Sequence, residues 1–179
     1  MKPSAASSRQ APLPRPDIDV FQLFGWRIWK LAALSGAPVI RLCEGRYGVS
    51  RQEWSLLSLV AHAGQISPSD LAEQIGLDRP RASKAVRALI AKGLMLRLRA
   101  QGQGRRFMLE LTPEGLSLVE RLYPQVKHVS DSVLAGLAPE ARRQFEQALA
   151  TLTEHAARLN ATLFTDVRAN RSGGRCGPR

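Results

Sequence analysis

At 179 residues with 44% apolar side chains, the chain has material for one domain, or a small domain with helical extensions, which rules out disorder throughout. Lys and Arg outnumber Asp and Glu by 26 to 15, a formal net charge of +11, so a polyanion is the first partner class to consider, and a membrane surface or RNA also qualifies. No run approaches the roughly 18 consecutive apolar residues of a membrane span and residues 1–16 lack the apolar core of a secretory signal, so a cytoplasmic protein with no membrane partner is expected.

Residues 1–16 are rich in Ala, Ser and Pro, and 167–179 read VRANRSGGRCGPR. Neither segment has much to bury, and 1–16 and 166–179 are expected to be disordered basic tails. From Asp17 to about Ser35 the sequence reads as a helix that is apolar on more than one side, with Val20, Phe24, Ile28 and Leu31 in one stripe and Phe21, Trp26 and Trp29 elsewhere. Such a helix needs more than one surface to bury against. Gly36 and Pro38 then predict a kink or restart, with helix again through Arg46, because proline removes an amide donor and crowds the preceding turn.

Ser50 is a fitting N-cap for a second helix over 51–63, with Trp54, Leu57, Val60 and Ala61 at helical spacing and Gly64 at its end. Ser67-Pro68-Ser69-Asp70 opens a short third helix with Leu71, Ala72 and Ile75 inward, closed by Gly76. Asp78 caps a fourth, in which Ala82, Val86, Leu89 and Ile90 form the core stripe up to Gly93 while Arg81 and Lys84 lie opposite and Arg87 on a flank. A short helix, a glycine turn and a second helix with an outward basic face is a helix-turn-helix arrangement, whose second helix enters the major groove of duplex DNA.

The period then changes to two. Leu94, Leu96 and Leu98 alternate with Met95, Arg97 and Arg99, Gly102 to Gly104 turns the chain, and Phe107, Leu109 and Leu111 alternate back. That is a β-hairpin with Arg97 and Arg99 on one face and Arg105 and Arg106 near its tip, a wing suited to a narrow minor groove. Thr112 caps and Pro113 begins the next helix, through Leu116, Val119, Leu122 and Tyr123 toward Leu137, with a bend expected at Pro124. The last helix starts near Pro139 and carries Phe145, Leu149, Leu152, Ala156, Leu159 and Leu163. Two apolar positions per heptad suit a partner helix better than a globular core, so an intersubunit contact is expected.

Charge is concentrated in the same region. Residues 79–109 hold nine basic residues, Lys92 among them, and no acidic one, whereas the rest of 17–166 has 10 basic against 15 acidic. One basic segment on an otherwise acidic body fits a localised phosphate-binding surface. Cys43 and Cys176 are too few for a disulfide framework, and His62, His128 and His155 are widely separated, so no metal or other cofactor is expected. No nucleophile–base pair, carboxylate dyad or phosphate-binding loop stands out, and an enzyme is not expected.

In this arrangement the chain resembles the MarR family of bacterial regulators over about residues 18–165. The match is carried by YGVSRQEWSLLSLVA (47–61), DLAEQIGLDRPRASKAVRALIAKGLMLR (70–97) and LELTPEGLSLVERL (109–122). The family's Asp-x-Arg wing tip reads here Gln103-Gly104-Arg105, which keeps the arginine without the carboxylate. The resemblance implies a mainly α fold with a small β-hairpin wing. A winged helix-turn-helix DNA-binding lobe over 47–112 would join a helical dimerisation region formed by 17–46 and 113–165.

It implies a homodimer on double-stranded DNA, with Arg79, Pro80, Arg81, Ser83, Lys84, Arg87, Arg97, Arg105 and Arg106 toward the duplex. Phe24, Ile28 and Leu31 would pair with Phe145, Leu149, Leu152, Ala156, Leu159 and Leu163 across the dimer. It also implies release by a small aromatic carboxylate or phenolic effector, for which Arg46, Tyr47, Arg51, Trp54 and His62 are the candidate lining. Two alternatives are a redox-responsive regulator of the same fold and a sequence-indifferent DNA-compacting protein.

Overall fold

In the computed structural model, residues 18–99 and 107–167 are described. The wing tip with Arg105 and Arg106, and the tails apart from Asp166 and Val167, lie outside them. The elements run α1 (Phe24–Tyr47), α2 (Arg51–Ala63), α3 (Pro68–Ile75), α4 (Arg79–Ala91), β1 (Met95–Arg99), β2 (Phe107–Leu111), α5 (Pro113–Leu134) and α6 (Pro139–Thr162). The chain divides into two compact units between Val126 and Lys127.

The first helix begins later than its composition suggests. Asp19 caps a single 3-10 turn, Val20–Gln22, by accepting the Phe21 N–H at 3.0 Å, and extended Leu23 separates that turn from α1. Of the kink or restart expected at Gly36–Pro38, the restart does not occur: α1 is one helix with Pro38 inside it. The missing amide costs the helix one internal hydrogen bond. Gly36 is buried where the Arg51 guanidinium lies against its α-carbon, so the glycine serves close packing on α2. The N-terminal half of α1 buries nothing, and Phe24, Ile28, Trp29, Leu31 and Leu34 are all exposed.

The core of the first unit is built from Cys43 and Val49 at the end of α1, Trp54, Leu56, Leu57 and Val60 of α2, Leu71, Val86, Leu89, Met95 and Leu109, with Leu118, Val119 and Leu122 of α5. Local signals place these helices well. Ser50 and Glu53 form a reciprocal capping box, Ser67 and Asp78 cap α3 and α4, and Gly76 ends α3 at φ 68°, a conformation that glycine adopts without strain.

Three faces differ from the sequence expectation. Ile90 is 37% exposed and outside the α4 core stripe. In the hairpin, Met95 and Leu109 are the buried residues, while Leu98 is exposed. In α5 Leu118 is buried beside the expected Val119 and Leu122, whereas Leu116 is 47% and Tyr123 55% exposed.

The hairpin faces follow from a long-range contact. β1 and β2 pair antiparallel with Met95 opposite Leu111 and Arg97 opposite Leu109. Ile66, just before α3, then adds a two-bond bridge to Leu109, N–H to O at 3.2 and 2.8 Å. Gln65 reinforces it through Glu110 at 2.7 Å. This pins the wing root onto the helix-turn-helix and turns the Met95 side inward.

The second unit, from Lys127 onward, is the end of α5, a short turn and α6. Arg142 bridges Asp131 at 3.4 Å and Glu146 at 2.9 Å, and Lys127 pairs with Asp131 at 2.5 Å. The Lys127 hydrogen bond leads in holding the Asp131 carboxyl below its usual range. Within α6 Phe145 is half-buried, and Leu149, Leu152, Ala156 and Leu159 are exposed on the heptad seam, with Leu163 just beyond the helix also exposed.

Candidate nucleic-acid interface

The helix α4 is held by apolar contacts on one side and presents its charge on the other. Ala82, Val86 and Leu89 are buried, whereas Arg79, Pro80, Arg81, Ser83, Lys84 and Arg87 are all exposed. Asp78 accepts the Arg81 N–H at 2.9 Å, and Arg81 Nε lies 3.4 Å from its other oxygen, so this guanidinium is oriented along the first turn of α4. Arg79, Lys84, Arg87 and Arg97 form no ion pair among the described residues, so the face carries uncompensated positive charge beside the positive end of the helix dipole.

The wing continues this face. The Arg97 guanidinium lies 3.9 Å above the centre of the Phe107 ring, a cation–π contact across the hairpin that fixes its direction. A groove of about 690 Å³ separates the start of α3 from the wing root, and Arg79, Ser83 and Arg97 line it with Ser67, Ser69 and Asp70. The Ser67 and Ser69 hydroxyls lie 2.9 Å apart there. Sequence pattern alone gives these two serines no place beside the basic face, because the capping signal at Ser67 already accounts for it.

One residue of the basic segment has a different task. Lys92 Nζ lies 2.8 Å from the Glu53 carboxylate and donates to Gly48 O at 2.9 Å, joining the end of α4 to the start of α2. Glu53 is buried and also accepts the Ser50 N–H at 2.7 Å. Burial works to raise the Glu53 carboxyl, but the bonds from Lys92 and Ser50 outweigh it and hold the group below its ordinary value.

A carboxylate with a depressed pKa in the fold contributes stability that is present above its unfolded pKa of about 4.3 and lost as pH falls through the folded value. Glu53→Gln is therefore expected to cost about 1–3 kcal/mol at pH 7, less than a fully buried pair because Lys92 is half-open to water. The difference between variant and wild type should shrink as urea titrations move from pH 7 toward pH 3. A constant difference would mean the carboxylate charge contributes nothing.

The effector candidates do not form one cluster. Arg46 donates to Gln125 Oε1 at 3.2 Å, and Gln125 Nε2 donates to the Tyr47 hydroxyl, so these two meet through a residue of α5 that the sequence did not flag. Arg51 packs over Gly36, Trp54 is in the core, and His62 is exposed at the far end of α2, eleven residues from Arg51 or about 16 Å along the helix. Burial raises the Cys43 thiol, neighbouring Glu44 adds to the rise and Arg51 opposes it.

Thr112 and Gly115 explain the Leu-Thr-x-x-Gly pattern. The Thr112 hydroxyl donates to Gly93 O at 2.7 Å and accepts the Gly115 N–H at 3.0 Å. A side chain at Gly115 would strike the Leu94 carbonyl, so its absence lets α5 start against the turn from which the wing leaves.

A helix-turn-helix whose second helix shows a cationic face, followed by a basic hairpin packed at its side, defines a winged-helix regulator of transcription. The family model described as MarR matches residues 47–106. The transcriptional regulator FarR of Neisseria gonorrhoeae is 30% identical over 113 residues, 63% of this chain and 77% of that protein. The chain belongs to the MarR family of transcription regulators. Among solved structures, NadR in complex with 4-hydroxyphenylacetate aligns with a TM-score of 0.65 at 25% identity, covering 77% of this chain and 97% of NadR. The S. aureus MepR–DNA complex aligns with a TM-score of 0.68 at 18% identity over 74% and 98% of the two chains, a likeness of fold. No helix among the described residues is long and apolar enough to cross a membrane.

Proposed function

We propose that the chain is a cytoplasmic, homodimeric, sequence-specific DNA-binding repressor that leaves a pseudo-palindromic operator when a small aromatic or phenolic acid binds. The observation that carries this reading is the exposed cationic face of α4, whose Arg79, Lys84 and Arg87 form no ion pair among the described residues, continuous with Arg97 on the wing root. Arg79, Arg81, Ser83, Lys84 and Arg87 enter the major groove, with Pro80 stiffening the first turn, and Arg105 or Arg106 reaches the minor groove. Arginine suits guanine O6 and N7, and the other groups suit phosphate.

The exposed stripe of Phe24, Ile28 and Leu31 and the α6 seam from Phe145 to Leu163 cover each other's counterparts between two copies. Residues 17–46 and 113–165 thus serve dimerisation and 47–112 DNA binding. Two-fold symmetry sets the recognition helices roughly 34 Å apart, in successive major grooves. The 4-hydroxyphenylacetate held by NadR supports a hydroxyaryl acid as effector class. The redox alternative is weakened by Cys43, whose thiol is fully buried and pushed up, away from the reactive thiolate.

Arg81→Ala tests the base-reading part. On a duplex selected by the protein from a random pool, affinity is expected to fall about 10-fold to 100-fold, with a smaller loss on unrelated duplex. Equal losses on both would make Arg81 a phosphate contact. A selection that enriches no sequence at all would favour the DNA-compacting alternative.

A further inference from the structure

Asp78 gives α4 more than an N-cap requires. A cap needs one side-chain oxygen, and the Ser50 and Ser67 hydroxyls supply it for α2 and α3. At Asp78 that part is taken by Oδ1, which accepts the Arg81 N–H at 2.9 Å. A cap accepts from the second or third amide of its helix, and Pro80 removes the second, so the carboxylate is drawn to Arg81. Its other oxygen, Oδ2, then lies 3.4 Å from Arg81 Nε. The two oxygens of one residue thus meet both the backbone and the side chain of another, three positions on.

This pairing sets Arg81 apart from its neighbours. Arg79, Lys84 and Arg87 form no ion pair among the described residues. A carboxylate at the start of a DNA-facing helix lowers the attraction for phosphate, and so works against sequence-indifferent binding. What it supplies is orientation. Engaged at Nε, the guanidinium keeps Nη1 and Nη2 for an outside pair of acceptors, and the Arg81 side chain is 63% exposed against 26% for Asp78. Two parallel N–H donors are the pattern that matches guanine O6 and N7. A side chain oriented before contact loses less freedom on contact and admits fewer geometries, so it rejects the wrong base more sharply.

We propose that Asp78 is a positioning residue that fixes Arg81 to read one guanine in each half-site, acting through the arginine. This rests on the sequence-reading role given to α4 above and says where that discrimination is set.

The test is equilibrium competition against the labelled selected duplex, using unlabelled copies in which each base pair of the half-site is changed in turn, and unrelated duplex beside them. The full chain is compared as wild type, Asp78→Asn, Asp78→Ser, Arg81→Ala and the double variant Asp78→Asn with Arg81→Ala. Asparagine keeps the capping oxygen and places an amide nitrogen where Oδ2 stood, donor against donor at Arg81 Nε. Serine caps without a second oxygen. Because Asp, Asn and Ser cap alike, both Asp78 variants should unfold within about 2 °C of wild type.

Arg81→Ala is expected to flatten discrimination at one G·C position. Both Asp78 variants should lose about 3-fold to 10-fold of the discrimination at that same position, while their affinity for unrelated duplex holds or rises, one negative charge having been removed. The double variant should discriminate no worse there than Arg81→Ala alone.

Full discrimination in both Asp78 variants would overturn the proposal. So would a loss equally large with and without Arg81, which would send the effect of Asp78 through another group. If Arg81→Ala flattens no position, the proposal falls and sequence reading passes to other residues. A wild type that discriminates at no position would remove the sequence-reading role itself, and the proposal with it.

Discussion

Leu152→Asp is expected to run as a monomer in light scattering at concentrations where the wild type is a dimer, and to bind the selected duplex about 100-fold or more weakly. Leu152 is 45% exposed and lies in a seam with Leu149, Ala156 and Leu159, so nothing among the described residues of its own unit requires it to be apolar. Across a two-fold interface every substitution is made twice, and each new carboxylate loses water without gaining a partner, at several kcal/mol. DNA affinity follows because a second recognition helix on the same duplex acts at high effective concentration, a gain of roughly 10²–10⁴ that a monomer forfeits. A variant that stays dimeric would take the last helix out of the interface.

Gly115→Ala has a larger effect on stability than its size suggests. In an ordinary helix interior the change would gain about 1 kcal/mol. Here the new methyl meets the Leu94 carbonyl, a backbone atom fixed from the same side by the Thr112 N–H at 3.3 Å, and neither can yield as a side-chain tip would. Overpacking of this kind outweighs the propensity gain, and a net loss of about 2–4 kcal/mol is expected, a fall in Tm of roughly 5–12 °C. The displaced Leu94 leads into β1, so operator binding measured well below Tm should weaken as well. An unchanged Tm would show that the turn after α4 relaxes freely.

What the sequence made legible was local. The ends of α2, α3 and α4 are marked by Ser50, Ser67, Asp78 and Gly76, each satisfying backbone groups within a few residues, and the structure has these helices at those limits. The hairpin was legible because its period departs from that of a helix. Its buried face was not, because the Ile66–Leu109 bridge that sets it joins residues 43 apart and leaves no periodic trace.

The same limit applies to charge. Lys92 looks in sequence like its eight basic neighbours in the segment, and only the fold brings Glu53 to it, although the Ser50-x-x-Glu53 capping box was there to be read. The restart expected after Pro38 is likewise absent. Gly36 packs under Arg51 and Cys43 is buried in that one helix, contacts between segments that local pattern does not show. Arg46 and Tyr47 converge through Gln125, a residue that local pattern could not single out, whereas Trp54 and His62 are at helical spacing yet serve core and surface.

That the cationic face of α4 and the wing reads sequence, beyond holding phosphate, is tested most directly by equilibrium competition at fixed salt. The wild-type protein on its labelled selected duplex is challenged with unlabelled copies of that duplex and with unrelated duplex of equal length. The selected duplex is expected to compete at least about 10³-fold better. Equal competition by the two would contradict sequence reading and leave a basic protein that holds DNA without discriminating.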